Sequence, residues 1–244
     1  MNRNVIILTS GLSGSSVLTA LIARGGFWTG DSTFKKAEYD TFENRRLIEL
    51  NLQLFEAAGY KGNYLLEYSP SAIQKVAALS GKLDDDVFRK FVAECEQHRP
   101  WIWKDPRLWL TIRFWKNFID LKNCRFILLT RGSMQSWISS ILRKQITSYR
   151  YSRRYENLIQ ESVRSFFKDN RLDYLHVTYE DLIVHPARTL EGLNRHLDTS
   201  LTEEDLKVVY HKPLYKNPRS SWIKHAKAML IYMKNYSERL DIAR

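Results

Sequence analysis

Cysteine is nearly absent from this chain: its 244 residues contain two, Cys95 and Cys124. Two thiols cannot build a disulfide framework or a four-cysteine zinc site, so a core must hold the fold, and a reducing cytoplasm is the expected setting. Proline and glycine are scarce too, at six and ten residues. That excludes collagen-like and low-complexity chains and leaves no flexible linker, so residues 1–244 read as a single domain. Long hydrophobic runs are missing. The longest early one, Val5–Leu8, falls far short of the roughly 20 residues of a membrane-spanning helix. Polar Thr9 and Ser10 follow it, where an export signal would still be apolar. The six histidines show no metal-ligand spacing, and no metal is expected.

What the chain does have suits a soluble globular protein: 44% hydrophobic and 13% aromatic residues. Its net charge of +11 is unevenly spread. Residues 101–171 carry 15 basic and 5 acidic side chains, net +10, while residues 1–100 are balanced. Such a local excess points to an anionic partner, either a nucleotide, an anionic acceptor or, less favoured, nucleic acid.

Asn4–Ser10 reads as a buried strand followed by a Gly/Ser turn, with a helix from about Ser15 to Gly25. A helical stretch is expected over 41–59, and shorter ones near Val76–Leu79 and Val87–Cys95. Trp101–Lys104 and Arg125–Thr130 read as strands, and Met134–Lys144 as a helix whose core stripe is Met134, Trp137, Ile138, Ile141 and Leu142. Tyr174–Thr178 is another strand, with helices at Pro186–Leu197 and Thr202–Tyr210. The alternation predicts an α/β fold with a mostly parallel central sheet flanked by helices.

Six segments carry polar chemistry. Ser10–Ser16 holds two glycines and four serines between strand and helix, where free amides of a helix N-terminus can bind phosphate or sulfate. A plain capped turn is the alternative, and the missing lysine before the terminal Ser disfavours an ordinary NTP hydrolase. Trp101-Ile-Trp-Lys-Asp-Pro-Arg-Leu108 places Lys104 at a strand's carboxyl end, the ligand edge of open α/β sheets; an ion pair from Asp105 to Lys104 or Arg107 is the plain reading. Arg131 ends the next strand, and Ser139 falls about 130° from the helix stripe's centre, so packing does not account for it. Tyr179-Glu-Asp-Leu182 is an acidic turn after a strand, and His211–Arg219 is a basic loop with two prolines. Tyr149-Arg-Tyr-Ser-Arg-Arg-Tyr155 interleaves aromatics and arginines, as single-stranded nucleic-acid binders do, or forms an exposed helix or an acceptor-site wall.

Taken in order over residues 4–220, these pieces resemble the PAPS-dependent sulfotransferase superfamily, whose donor is 3′-phosphoadenosine 5′-phosphosulfate. The resemblance implies a P-loop-like three-layer fold and assigns donor binding to Gly11, Leu12, Ser13, Gly14, Ser15 and Ser16. It gives the 3′-phosphate to Arg131 and Ser139, sets Tyr179 near the adenosine and adds Arg219 from the basic loop. Lys104 then steadies the bridging oxygen. Glu43, in a Phe42-Glu43-Asn44 segment similar to bacterial members, is the first candidate base, with Asp105 second and Glu67 third. Two departures stand out: Leu12 occupies the slot where the family usually has Arg or Lys, and no His follows Lys104 within two residues. Lys35, Lys36 and Arg107 are alternative cations. The expectation is a PAPS-dependent enzyme releasing PAP, with a catalytically inactive nucleotide binder as the rival.

Overall fold

The computed structural model describes residues 3–37, 39–211 and 222–241. Arg219 and most of its basic loop lie outside the described residues.

Four parallel strands form the central sheet in the order β4-β1-β5-β6. They are β1 (Asn4–Thr9), β4 (Ile102–Lys104), β5 (Cys124–Thr130) and β6 (Tyr174–Thr178). Every residue of β1 is buried, as a parallel strand covered on both faces must be. The period-2 alternation sorts its side chains into two cores. Ile6 and Leu8 join Trp101, Trp103, Phe126 and Leu128 in one; Val5 and Ile7 join Ile102, Ile127, Leu129 and Val177 in the other.

The first face is covered by α2 (Arg45–Ala57), α3 (Pro70–Ala77), α4 (Asp85–Gln97), α5 (Leu108–Trp115) and α7 (Tyr149–Asp169). Both tryptophans that flank Lys104 are fully buried there. The second face is covered by α1 (Ser15–Ala23), α8 (Tyr179–Val184), α9 (Pro186–Leu197) and α10 (Glu203–Val209). Helix α6 (Ser133–Leu142) follows β5, and α11 (Trp222–Lys234) packs on it through Ala228, Ile231 and Tyr232. This is the expected three-layer α/β architecture.

Four expectations need correction. Residues 40–44 are not helical: β2 (Thr33–Lys35) and β3 (Asp40–Asn44) form an antiparallel hairpin, and the helix begins only after Asn44, whose side chain caps it by accepting from the Arg46 and Leu47 amides. Helix α3 begins at Pro70, N-capped by Ser69, well before Val76. Helix α6 ends at Leu142, two residues short of Lys144, whose φ of 60° is left-handed. Met134 is 42% exposed rather than core, because the α6 stripe meets α11 only from Trp137 onward.

Candidate active site

The strand register delivers the chemistry to one edge. Thr9 lies beside Leu129 and Thr130 beside Thr178, so the loop after β1, Arg131 and Tyr179 all emerge at the carboxyl ends of neighbouring strands. Lys104 pairs with Ile7, one strand over.

The Gly11–Gly14 turn is shaped from three sides. A Cβ on Gly11 would come within 2.5 Å of Leu65 Cδ2, and one on Gly14 within 2.2 Å of Tyr179 Cδ2. Gly14 also has φ of 83°, which L side chains rarely adopt. Ser13 is buried, its hydroxyl 2.6 Å from Thr9 Oγ1. Helix α1 starts with no side-chain cap and no acidic residue in its first turn, so its leading amides are left for a ligand or solvent. Ser15 and Ser16 occupy that turn, both half-buried.

Arg131 ties the loop to the rest of the edge. Its Nη1 donates to the Leu12 carbonyl at 3.0 Å and to Ser139 Oγ at 3.2 Å. The guanidinium carbon lies 4.9 Å from the centre of the Tyr179 ring, and Nε is buried without a partner. The spacing from 131 to 139 thus brings both side chains together across the start of α6. Leu12 itself is left-handed, φ 65°, a strained conformation for a leucine. Burial pushes the Tyr179 phenol upward. The acidic turn proves to be an N-terminus: Thr178 caps α8 by accepting from the Asp181 amide, and Glu180 accepts from the Gly132 amide.

Lys104 and Glu43 meet in an ion pair, Nζ to Oε1 at 2.6 Å, with the lysine side chain 1% and the glutamate 13% exposed. Asp105 is fully buried and saturated with donors: Asn51 Nδ2 at 2.8 Å, the Arg107 amide at 2.9 Å and Arg107 Nη1 at 2.8 Å. Arg107 also donates to the Tyr64 hydroxyl at 2.7 Å and covers its ring. The Asp105–Arg107 alternative is the pair that forms, inside the protein rather than at a surface turn; it engages the Asp105 carboxylate, while Arg107 Nε stays buried without a partner. Lys35, Lys36 and Glu67 are exposed, Lys36 lying against Tyr39.

Beside Gly11 and Leu12 opens a small cleft. Leu65 and Leu66 form one wall, Ser136 and Ser140 of α6 another, and Tyr151, Ser152, Tyr155 and Glu156 of α7 a third, with Thr147. Glu156 is 5% exposed, and burial pushes its carboxyl up to about 7, against the pull of nearby Ser136, Ser133 and Arg131. The sequence reading passed over it. The signal was there: Glu156 sits on the stripe Tyr155, Ile159, Val163, Phe166 that buries α7, and a carboxylate on a buried stripe is a group to explain.

Among the described residues no helix is long and apolar enough to cross a membrane, and no three His, Cys, Asp or Glu side chains converge as metal ligands. No curated protein matches the chain. Among the solved structures that share the fold are two sulfotransferase domains. A sulfotransferase domain from the Synechococcus PCC 7002 olefin synthase is 16% identical, with a TM-score of 0.57 over 96% of this chain and 94% of that one. A sulfotransferase domain from the curacin biosynthetic pathway is 17% identical, with a TM-score of 0.53 over 86% of this chain and 78% of that one. The model of the sulfotransferase family matches residues 6–203, a span that runs from the middle of β1 past the acidic turn of α8 to the first residue of α10, and on that match the chain belongs to the sulfotransferase family.

Proposed function

We propose that the chain transfers a sulfuryl group from PAPS to a hydroxyl, or an amine, of an acceptor and releases PAP. The observation that carries this reading is Arg131, which joins the β1–α1 loop to Ser139 through two hydrogen bonds while its Nε stays buried and unpartnered. A buried guanidinium N–H without an acceptor is costly, and an anion at this edge would satisfy it. The residues fit the donor in other respects as well. The glycines of the turn admit Leu65 and Tyr179 against the backbone, which fixes the loop, and α1 presents unopposed amides. When bound, the donor supplies a sulfuryl group on a phosphate leaving group.

The chain's own residues divide the work. The amides of Gly11–Ser16 orient the phosphosulfate, Arg131 and Ser139 hold the 3′-phosphate, and Tyr179 braces Gly14 beneath the nucleoside. The acceptor oxygen forms its bond to sulfur as the bond from sulfur to the phosphate oxygen breaks. Lys104 steadies that departing oxygen, which leaves with the electron pair, and Glu43, freed from the ion pair as Lys104 turns, takes the acceptor's proton. Asp105 supports the site rather than acting as the base. The two buried free thiols, Cys95 and Cys124, each pushed up to about 12 by burial, are unreactive and support a reducing, cytoplasmic setting.

Calorimetry with PAP tests the donor site. Arg131→Ala should weaken PAP binding by about 1.5–3 kcal/mol, the worth of charge-assisted hydrogen bonds. Unchanged affinity in a folded variant removes Arg131 from the site and takes the donor assignment with it.

A further inference from the structure

One buried charged side chain has no part in the scheme above. Glu156 lines the cleft that starts at Gly11 and Leu12; the Ser133 and Ser136 hydroxyls of α6 lie by its carboxylate, and its Oε2 has no hydrogen-bond partner. Native proteins leave few buried carboxylate oxygens unsatisfied, because desolvation without a donor is expensive. An orphan oxygen on the wall of a cleft is satisfied when a guest brings the donor.

The rest of the wall says which guest. No Lys, Arg or His lines the cleft; hydroxyls do, from Ser136, Ser140, Tyr151 and Ser152. The arginines of the same helix are elsewhere. Arg150, Arg153 and Arg154 are exposed; at 100° per residue Arg150 and Arg154 lie on the side of α7 opposite Ser152 and Glu156, and Arg153 sits at the flank, about 60° from Glu156. The positive excess of the middle of the chain therefore faces solvent on this helix, while the cleft is hydroxyl-lined and carries a carboxylate.

We propose that this cleft is the acceptor subsite and that Glu156 selects the acceptor by charge, taking a hydrogen bond from a hydroxyl or ammonium group of a neutral or cationic alcohol and excluding carboxylates and phosphates. The inference rests on the sulfuryl-transfer reading and names its substrate class, against the anionic acceptor that the net charge alone suggests. Glu156 acts here on specificity and takes no part in the bond changes. A carboxylate guest would meet a like charge in a water-poor wall, which works as exclusion.

Labelled-sulfate transfer from PAPS to three pools of small alcohols tests it: polyols, amino alcohols and hydroxy acids, at pH 8, with the full chain. The wild type should label polyols or amino alcohols at least tenfold over hydroxy acids. Glu156→Gln should lose tenfold or more of that preference, with PAP affinity unchanged, and Glu156→Asp should keep its direction. A carboxylate that merely braced the start of α6 would leave the preference unmoved. With PAP binding intact, equal labelling of hydroxy acids, labelling of no pool, or an unchanged preference in Glu156→Gln overturns the assignment. Failure of the wild type to bind PAP overturns the donor reading beneath it instead.

Discussion

Lys104 and Glu43 bury an ion pair at the ligand edge of the sheet, and removing one partner strands the other. Lys104→Ala should therefore cost stability, on the order of 3 kcal/mol, as well as a hundredfold or more in turnover, the usual loss when a cation at developing negative charge is removed. In the double variant Lys104→Ala with Glu43→Gln stability should recover while turnover stays lost, since the cation and the base are both gone. Near-full turnover in either would remove Lys104 from the chemistry. Leu12→Arg keeps a Cβ in the same left-handed turn, so its backbone strain is unchanged, and the added charge should hold or raise turnover. Glu156 makes a separate statement about pH. Its neighbours from other elements are Ser133 and Ser136 of α6, Arg131 after β5 and Glu180 of α8, and burial outweighs them to push the carboxyl from 4.5 to about 7. The folded chain thus binds this proton more tightly than the unfolded chain, so its contribution to stability falls as pH rises through that window. Glu156→Gln should be the more stable protein at pH 8, by at most roughly 3 kcal/mol, and lose its advantage below pH 4.5. Urea melts at the two pH values read this directly, and a larger advantage at acid pH would refute the sign.

At the scale of elements, Asp105 joins the end of β4 to α2 through Asn51 and to the start of α5 through Arg107. Asn51 in turn accepts from Trp115 Nε1 at 2.8 Å. Asp105→Ala should leave a buried guanidinium uncompensated at a cost of about 3–5 kcal/mol, lowering Tm by roughly 6–20 °C; a melt within about 2 °C of wild type would show the brace to be slack. The glycine turns offer a matched comparison. Gly81 and Gly14 both have positive φ, 74° and 83°, but a Cβ on Gly81 meets nothing within 4 Å while one on Gly14 strikes the Tyr179 ring. Gly81→Ala should cost only the backbone penalty of about 1–2 kcal/mol. Gly14→Ala pays that and also displaces Tyr179 from under Arg131, so it alone should weaken PAP binding. Equal effects of the two on PAP affinity would sever the link between α8 and the loop.

Across the whole molecule, the concentrated positive charge resolves into separate uses. Of its cations, Lys104, Arg107, Arg113 and Arg131 are tied to Glu43, Asp105, Ser162 and Leu12, while the α7 arginines stand in solvent. Oligonucleotide binding through that exposed set should be weak, fall steeply with salt and be indifferent to Arg131→Ala. PAP binding should instead exceed AMP binding about tenfold or more, from the contacts a 3′-phosphate adds at Arg131 and Ser139. Equal PAP and AMP affinities would turn the protein into a general nucleotide binder.

How much of this was legible in the chain follows from the range of the forces involved. Strands β1, β5 and β6 and helix α9 are written locally, in apolar runs, a Pro at a helix start and Gly/Ser turns, so period and punctuation suffice to find them. The meeting of Arg131 with Ser139 was legible for the same reason, being set by helical geometry over two turns. The β2–β3 hairpin was not. Its residues 40–44 carry the apolar spacing of the helix that follows, and only pairing with residues 33–35 makes them a strand. Nor could any spacing reveal that Lys104 closes on Glu43 from 61 residues away, that Asp105 is sealed by Asn51, or that Glu156 faces the loop across a cleft. Local sequence determined the three-layer sheet and its ligand edge; which charges that edge leaves paired, buried or unpartnered was decided by long-range packing, since desolvation depends on what the rest of the chain stacks against each group.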